Sequence, residues 1–222
     1  MKLTKFSHSL VRLEKDGAAL VIDPGSLSEA AEALRSTDVV LVTHEHADHV
    51  DLPVLAQALT EQPELQVYAP ESVAASLREL VQQAGSQAVD RVHTAETGTT
   101  FEAAGFHLRV VGGQHALIHP RIPVVANLGY IVDGAVYHPG DSLIVPAGLE
   151  LQVLLVPLHA PWSKTGEVVD FVCSVRAAKA YPIHDALLNE AGRQFAAGHV
   201  SRFGAEFGTD FQTLALRETV EI

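Results

Sequence analysis

The segment from Thr43 to His49 contains the residues with the clearest capacity for chemistry. It reads Thr-His-Glu-His-Ala-Asp-His, so three imidazoles and one aspartate fall within the six positions from His44 to His49. Imidazole and carboxylate groups are ligands that zinc accepts in proteins. Because a turn this short cannot keep the four groups apart, the segment predicts a metal site.

Further histidine and aspartate residues follow predicted strands later in the chain. His115 ends Gly-Gly-Gln-His, Asp141 lies in Pro-Gly-Asp-Ser, and His184 ends Pro-Ile-His. A lone histidine after a strand is common as a structural residue, so each is weak evidence for a site when taken by itself. Their order and their shared position after strands make them candidate ligands together with the first segment.

Two polar residues are candidates to hold ligand imidazoles in place. Asp23, in Ile-Asp-Pro-Gly, and Thr43 could accept from the ring N–H that faces away from a metal, which determines the tautomer of the ligand. The Asp-Pro-Gly sequence is also typical of a turn, and this explains Asp23 equally well. Both interpretations of Asp23 remain open from the sequence.

Four other side chains are candidates for a substrate pocket. His159 follows a predicted buried strand, as the motif residues do, so we expect it at the same edge, as a substrate or acid group or as an ordinary loop histidine. His119 and His8 are weaker candidates, with surface or packing roles as alternatives. Trp162, the only tryptophan, could form an apolar wall for substrate, although such an aromatic residue commonly serves packing.

Strands and helices must bring these residues together, and the hydrophobic pattern predicts an α/β alternation. Residues 38–42 lack polar alternation, which indicates a buried strand that ends at the first motif. The chain before it predicts an antiparallel start, and Asp133-Gly134 indicates a hairpin. The predicted strands are 3–6, 10–13, 18–22, 39–42, 66–69, 91–93, 99–103, 107–111, 127–132, 135–137, 152–156, 181–183 and 209–221. The predicted helices are 29–35, 51–59, 71–84, 167–180 and 186–197.

Length and composition restrict the class of protein. A chain of 222 residues that is 47% hydrophobic can bury one large core, so we expect one domain, 1–222. The net charge of -12 and the lack of a Lys/Arg cluster make nucleic acid an unfavourable partner. A single cysteine excludes an internal disulfide and is consistent with a reducing compartment. With no signal-like start and no apolar run of about 18 residues, we expect a cytoplasmic protein without a membrane anchor. A homo-oligomer remains open.

The ordered motifs resemble those of the metallo-β-lactamase superfamily. The first is His-x-His-x-Asp-His from His44 to His49, and His115, Asp141 and His184 follow it in the order of that family. The likeness extends from Asp23 to His184, nearly the whole chain. It implies an α/β (α+β) fold, a four-layer αββα sandwich with a site at one edge between two sheets. The opening Ser-His-Ser and the compact length look most like the metal-dependent hydrolase branch that includes L-ascorbate-6-phosphate lactonase.

The resemblance also implies how seven ligands share two metal ions. A catalytic zinc takes three protein ligands and a water, so seven ligands are too many for one ion. Diiron members of the superfamily place a carboxylate where this chain has His46, which favours zinc here, while manganese and iron are compatible with the same residue types. The implied ligands are His44, His46 and His115 for one metal, Asp48, His49 and His184 for the other, and Asp141 as the bridge.

Two divalent ions of this kind predict a hydrolase of a small-molecule substrate. A bridging hydroxide would attack a carbonyl carbon or a phosphorus atom, and Asp48 would orient this nucleophile as the catalytic carboxylate. The substrate class is a small ester, lactone, amide or phosphodiester. Two alternatives are an iron-dependent redox enzyme acting on oxygen or a persulfide, and a metal-binding protein without catalysis.

Overall fold

Two seven-stranded mixed sheets lie at the centre of the computed structural model, which describes residues 1–222. In spatial order, the first sheet contains β14 (Thr219–Glu221), β1 (Lys2–Lys5), β2 (Val11–Lys15), β3 (Ala18–Ile22), β4 (Val39–Leu41), β5 (Gln66–Ala69) and β6 (Val92–Thr94). Strands β14, β1, β2 and β3 pair antiparallel, and β3 to β6 pair parallel. The predicted antiparallel start is therefore confirmed.

The second sheet is formed by the other half of the chain. In spatial order it contains β13 (Asp210–Phe211), β12 (Lys179–Ile183), β11 (Val153–Pro157), β10 (Val136–His138), β9 (Leu128–Val132), β8 (Phe106–Gly112) and β7 (Thr100–Ala103). Asp133 and Gly134 connect β9 to β10, and both have a positive φ, 51° and 66°. Two consecutive left-handed residues are the geometry of a tight hairpin turn, so this prediction is also confirmed.

Helices cover the outer face of each sheet and complete four layers. The helices are α1 (Ala30–Ala33), α2 (Leu52–Glu61), α3 (Glu71–Gln83), α4 (Thr165–Val175) and α5 (Glu190–Glu206), with a 3-10 turn at Ala88–Arg91. Helices α1 to α3 bury their apolar residues against the first sheet, and α4 and α5 do so against the second. A third cluster lies between the two sheets. The fold is the αββα sandwich that the sequence predicts.

Strand β4 shows why its sequence lacks polar residues. Val40 packs toward the helices, whereas Val39 and Leu41 pack toward the opposite sheet, and all three are fully buried. Alternate side chains of a strand point to opposite faces, so a strand covered on both faces needs apolar residues throughout. The strand that leads to the first motif is thus anchored on both sides.

The predicted helix 167–180 is wrong at its C-terminal end. Helix α4 stops at Val175, because Arg176 has a φ of 56° in the left-handed region and ends the helix there. Residues from Lys179 onward pair with β11 as strand β12. The predicted helix 186–197 is shifted as well: Asn189 caps α5 by accepting from the Gly192 N–H at 2.8 Å, and the helix continues to Glu206.

The predicted closing strand 209–221 is also wrong, because the segment divides between the two sheets. Its start pairs with β12 as β13, and its end pairs with β1 as β14. Arg217, with a φ of 65°, bends the chain between these strands and forms a two-pronged ion pair with Glu32. Alternation of apolar and polar residues in the sequence indicates an extended strand. It does not indicate which sheet the strand joins.

None of the five helices has the length and continuous apolar character that crossing a membrane requires.

Candidate metal centre

Loops that follow four strands converge at one edge of the two sheets. The first motif follows β4, His115 follows β8, Asp141 follows β10 and His184 follows β12. Within each of two groups, one potential ligand atom from every residue lies within 4.8 Å of the others. The first group is His44, His46, His115 and Asp141, and the second is His8, Asp48, His49 and His184. The structure thus brings together all seven residues predicted as ligands, and it adds His8.

Asp141 lies between the two groups. Its Oδ2 is 3.2 Å from Nε2 of His115 in the first group and 3.3 Å from Nε2 of His184 in the second. Its Oδ1 is 3.1 Å from Nε2 of His49. A carboxylate in this position can contact cations on both sides.

The arrangement of the donor atoms is better explained by metal coordination than by hydrogen bonds between the side chains. His49 Nε2, His115 Nε2 and Asp141 Oδ1 are buried and lack a hydrogen-bond partner, although His49 Nε2 and Asp141 Oδ1 are only 3.1 Å apart. Buried polar atoms normally have partners, so atoms that approach without bonding indicate ligands that converge on a cation.

Asp23 determines the orientation of two of these imidazoles. Its Oδ2 accepts from Nδ1 of His49 at 2.6 Å and from the Thr43 hydroxyl at 2.7 Å. The same hydroxyl lies 3.0 Å from Nδ1 of His44 and accepts from it, since its own proton is donated to Asp23. Both rings therefore carry their proton on Nδ1 and turn Nε2 toward the centre.

Backbone carbonyl groups hold two other imidazoles. Nδ1 of His184 donates to the carbonyl oxygen of His159 at 2.7 Å, and Nδ1 of His115 donates to that of Ala116. The ring of His184 also depends on its backbone, because its φ of 55° places the residue in the left-handed region. In each case the ring turns its Nε2 toward the centre, where Asp141 lies.

Mutual contacts between the carboxylates and imidazoles of the centre shift the pKa values of both kinds of group. Burial works to raise the pKa of Asp141, but the charge of His49 and the nearby imidazoles of His115 and His184 hold that pKa well below its usual value. Burial works to lower the pKa of His184, yet hydrogen bonds with Asp141 and Asp48 raise it to about 9. Ligand imidazoles bind metals in the neutral form, so cation binding must displace such protons.

Asn127 and Trp162 position Asp141. The buried Asn127 accepts from the backbone N–H of Asp141 at 2.9 Å and donates to the carbonyl oxygen of Pro139 at 2.9 Å. The indole N–H of Trp162 donates to Oδ2 of Asp141 at 2.8 Å. Trp162 is half-buried, and its ring also contacts those of His115 and His184 edge-on.

The candidate pocket residues differ in how close they come to this centre. Trp162 contacts it directly, and His8 lies inside it, with Nε2 3.0 Å from Oδ2 of Asp48. The His159 side chain is exposed, and its carbonyl group makes the contact to His184. His119 is exposed, and its Nδ1 accepts from the Arg121 N–H at 3.1 Å within its own loop.

Sequence reasoning missed Asn127 as a residue of the site. It directly precedes the fully buried strand β9, where a polar side chain needs a partner. The position of Asn127 before a buried strand was the only feature of the sequence that indicated a role. It did not indicate which residue Asn127 would contact.

Comparison with solved structures finds the same fold in a known protein. The structure is similar to that of Igni18, a metallo hydrolase from the hyperthermophilic archaeon Ignicoccus hospitalis, with a TM-score of 0.71 and 20% identity. The match covers 99% of this chain and 97% of that one. At this identity the likeness shows the fold alone.

The sequence identifies the family. The model of the beta-lactamase superfamily domain matches residues 2–184, so the chain belongs to the metallo-β-lactamase superfamily. It is 36% identical to Protein Rv0786c of Mycobacterium tuberculosis over 219 residues, 96% of each chain. It is 32% identical to a UPF0173 metal-dependent hydrolase of Rhizobium etli, over 72% of this chain and 70% of the relative.

Proposed function

We propose that this protein is a hydrolase that binds two divalent cations, zinc in the first instance, one in each group of ligands. Asp141 is the ligand shared by both. The observation that carries the proposal is the pair of adjacent four-residue groups with buried donor atoms that have no partner within the protein. The names of the UPF0173 relatives, which are called metal-dependent hydrolases, agree with it.

Two bound cations would lower the pKa of a shared water and polarise the oxygen of the group under attack. The side chains of the chain itself supply orientation and proton transfer. Asp48 is the one carboxylate of the centre with an open side, its side chain being 28% exposed, so Oδ1 or Oδ2 can receive a proton from a water in the cleft. Trp162 donates to Oδ2 of Asp141 and would hold this carboxylate where it can contact a cation in each group.

The reaction we propose is hydrolysis of a small ester, lactone, amide or phosphodiester. The sequence likeness to the branch that includes L-ascorbate-6-phosphate lactonase supports the lactone as one member of this set. A groove of about 500 Å³ lies beside Trp162 and contains Leu117, Ile118 and Leu143. Its lining combines these apolar side chains with Ser163, Lys164 and Glu167, and we propose that the apolar part receives an apolar group of the substrate.

A larger cavity of about 640 Å³ is lined in part by His8, and we do not assign the substrate to it. Its charged walls already pair with each other: Lys5 with Asp185 at 3.3 Å, and Arg193 with Glu190 at 3.2 Å. We favour the groove beside Trp162 because the indole that lines it bonds to Asp141, the residue that contacts both groups of ligands.

We also propose that residues 1–222 act as a single domain. The first sheet supplies the motif from His44 to His49, and the second supplies His115, Asp141 and His184. The apolar cluster between the sheets joins the two halves. Neither half alone contains a complete group of ligands.

Metal analysis and hydrolysis assays test the proposal. The purified protein is assayed with p-nitrophenyl esters, lactones and bis-p-nitrophenyl phosphate, with and without a chelator. We expect two metal ions per chain and turnover that the chelator abolishes. The variant Asp141→Ala removes the shared ligand, so bound metal and turnover should fall together. Asp170→Ala, on the exposed face of α4, is the matched control and should change neither.

Each alternative has its own result in this experiment. Iron at the centre with oxygen consumption in place of hydrolysis would indicate the redox enzyme. Two bound ions without turnover on any substrate would indicate a metal-binding protein. Retention of two tightly bound ions and full turnover in Asp141→Ala would contradict the assignment of the bridge.

A further inference from the structure

His8 occupies a position in the centre that requires a special backbone conformation. It follows β1, its φ is 58° and its side chain is fully buried. A histidine in the left-handed region is uncommon and persists only where the surroundings enforce it. The turn from Ser7 to Leu10, closed by a backbone hydrogen bond of 3.3 Å, directs this imidazole inward.

Contacts from both halves of the fold hold this turn. The carbonyl oxygen of His8 accepts from the backbone N–H of His184 at 3.1 Å and from the buried ammonium of Lys5 at 3.1 Å. Lys5 also pairs with Asp185, the residue after His184, at 3.3 Å. Nε2 of His138 donates to the carbonyl oxygen of Ser9 at 2.9 Å. The imidazole of His8 therefore has a fixed place relative to His184.

The two ring nitrogens of His8 have different surroundings. Nε2 lies 3.0 Å from Oδ2 of Asp48, at hydrogen-bond distance. Nδ1 is buried and has no partner. If Nε2 were a metal ligand, the proton of the neutral ring would sit on Nδ1, where no group accepts it. A proton on Nε2 has Asp48 as its acceptor, and only the lone pair of Nδ1 remains unused.

The predicted histidine ligands show the opposite pattern. Nδ1 has a partner in four of them: Thr43 for His44, Asp23 for His49, and backbone carbonyl groups for His115 and His184. A partner on the far nitrogen is the usual support of a metal-bound imidazole. His8 lacks this support, although its ring lies within the second group of ligands.

We propose that His8 is a positioning residue: its Nε2–H donates to Asp48 and fixes the carboxylate that faces the reacting water, and His8 does not bind metal. This rests on the proposed function, in which Asp48 orients the nucleophile and takes up a proton. Asp48 has an exposed side on the cleft, and its other close contact, from Oδ2 to Nε2 of His184, is longer at 3.5 Å, so the bond from His8 contributes most to the orientation of the carboxylate. The role follows from a hydrogen bond of the neutral imidazole.

Two variants of His8 separate the positioning role from metal ligation. In His8→Gln the amide N–H reaches about as far as Nε2, so the bond to Asp48 is kept. In His8→Asn the shorter amide reaches only to the place of Nδ1, while Asn tolerates the left-handed backbone. We expect both to bind two Co²⁺ ions with the visible spectrum of the parent protein. Turnover should fall about ten- to hundredfold in His8→Asn, with little change in KM, and His8→Gln should recover most of it.

Nitrogen NMR of the zinc-loaded parent protein tests the same point without a substitution. We expect His8 to show a protonated Nε2 and an Nδ1 that is neither protonated nor bound to metal. A metal-bound nitrogen in His8, loss of one Co²⁺ in either variant, or equal loss of turnover in His8→Gln and His8→Asn would overturn the proposal. If the protein hydrolyses nothing, the proposed function fails, while the NMR and Co²⁺ results still decide whether His8 binds metal.

Discussion

At the scale of single residues, one carboxylate organises a large part of the centre. Asp23 is fully buried and accepts three hydrogen bonds, from the backbone N–H and hydroxyl of Thr43 and from Nδ1 of His49. The turn interpretation and the ligand-support interpretation of Asp23 are compatible, because its φ of 52° belongs to the turn that points the carboxylate inward. A small change at Asp23 should therefore affect the metal centre.

We predict that Asp23→Asn weakens metal binding about ten- to hundredfold, the usual cost of losing a support for a ligand imidazole. Asn tolerates the backbone conformation, but its amide nitrogen is a donor and faces the donors of Thr43 and His49. Competition against a chromophoric chelator measures the affinity. Asp38→Asn is the control, since Asp38 accepts from the Ala19 N–H at 2.8 Å away from the centre and should leave the affinity unchanged. Equal affinity in the parent and Asp23→Asn would show that this support is dispensable.

At the scale of elements, two loops of the first sheet fit closely against each other. Gly25 follows β3, and a Cβ placed on it would lie 1.8 Å from the backbone oxygen of Asp48 and 2.6 Å from the backbone nitrogen of His49. Ser26 N–H donates to the carbonyl oxygen of Ala47 at 2.8 Å, which joins the same two loops. The motif is therefore shaped by a neighbouring loop.

We predict that Gly25→Ala displaces the loop that holds Asp48 and His49, because the added methyl group meets backbone atoms that cannot rotate away. The variant should lose metal from the second group of ligands and unfold at a lower temperature. Metal analysis and thermal unfolding report these two effects. Gly198→Ala, in the middle of α5 with open space around it, should instead raise stability by up to about 1 kcal/mol. Full metal content in Gly25→Ala would mean that the loop adapts without cost.

The loop after β8 gives a test of the substrate groove. Leu117 is 57% exposed beside the centre, so Leu117→Asp should not harm folding, but it places a charge where we propose an apolar substrate group. We expect KM for p-nitrophenyl butyrate to rise about three- to tenfold, with a smaller rise for the acetate, since each buried methylene contributes about 0.8 kcal/mol. Leu216→Asp, in the larger cavity, is the control. A rise in KM for Leu216→Asp alone would move the substrate to that cavity.

At the scale of the whole molecule, the stability of the fold depends on the protonation of the centre and on metal binding there. It joins loops from both sheets, and its histidines and carboxylates neutralise each other when no cation does so. The pKa of His184 is raised to about 9 by its hydrogen bonds to Asp141 and Asp48, despite burial. A raised folded-state pKa means that the protonated form stabilises the folded protein fully below the ordinary value of about 6.5. This stabilisation is lost as the pH rises through about 9.

We predict that metal removal destabilises the protein more at high pH than at low pH. The chelator-treated protein should lose stability between pH 6.5 and about 9, whereas metal binds more tightly over this range because the proton on His184 no longer competes. Thermal unfolding at pH 6, 7.5 and 9, with one to two equivalents of zinc or with a chelator, measures the difference in Tm. A gap in Tm that stays constant or shrinks with rising pH would contradict this coupling.

The order of the motifs and the class of fold could be predicted from the sequence. Strands buried on both faces, such as β4, appear as apolar runs, and the motif residues follow directly at their ends. Residues close in sequence share a loop, so the proximity of His44 and His49 needed no tertiary information, although they fall in different groups of ligands. Ligation by the seven residues stays a prediction that metal analysis decides.

Contacts between distant segments were decided only by the tertiary structure. His8 and Asp48 are separated by 40 positions within the first half of the fold, and Asp141 and Trp162 by 21 within the second, so their bonds depend on the order of the strands in each sheet. The division of 209–221 between the sheets has the same origin, because alternation describes a strand but not its partner. Local sequence thus determined which side chains could bind a metal, since that depends on residue type and spacing. The order of strands within each sheet and the packing of the two sheets decided which of them meet and which hydrogen bonds orient them, since these are properties of three-dimensional proximity.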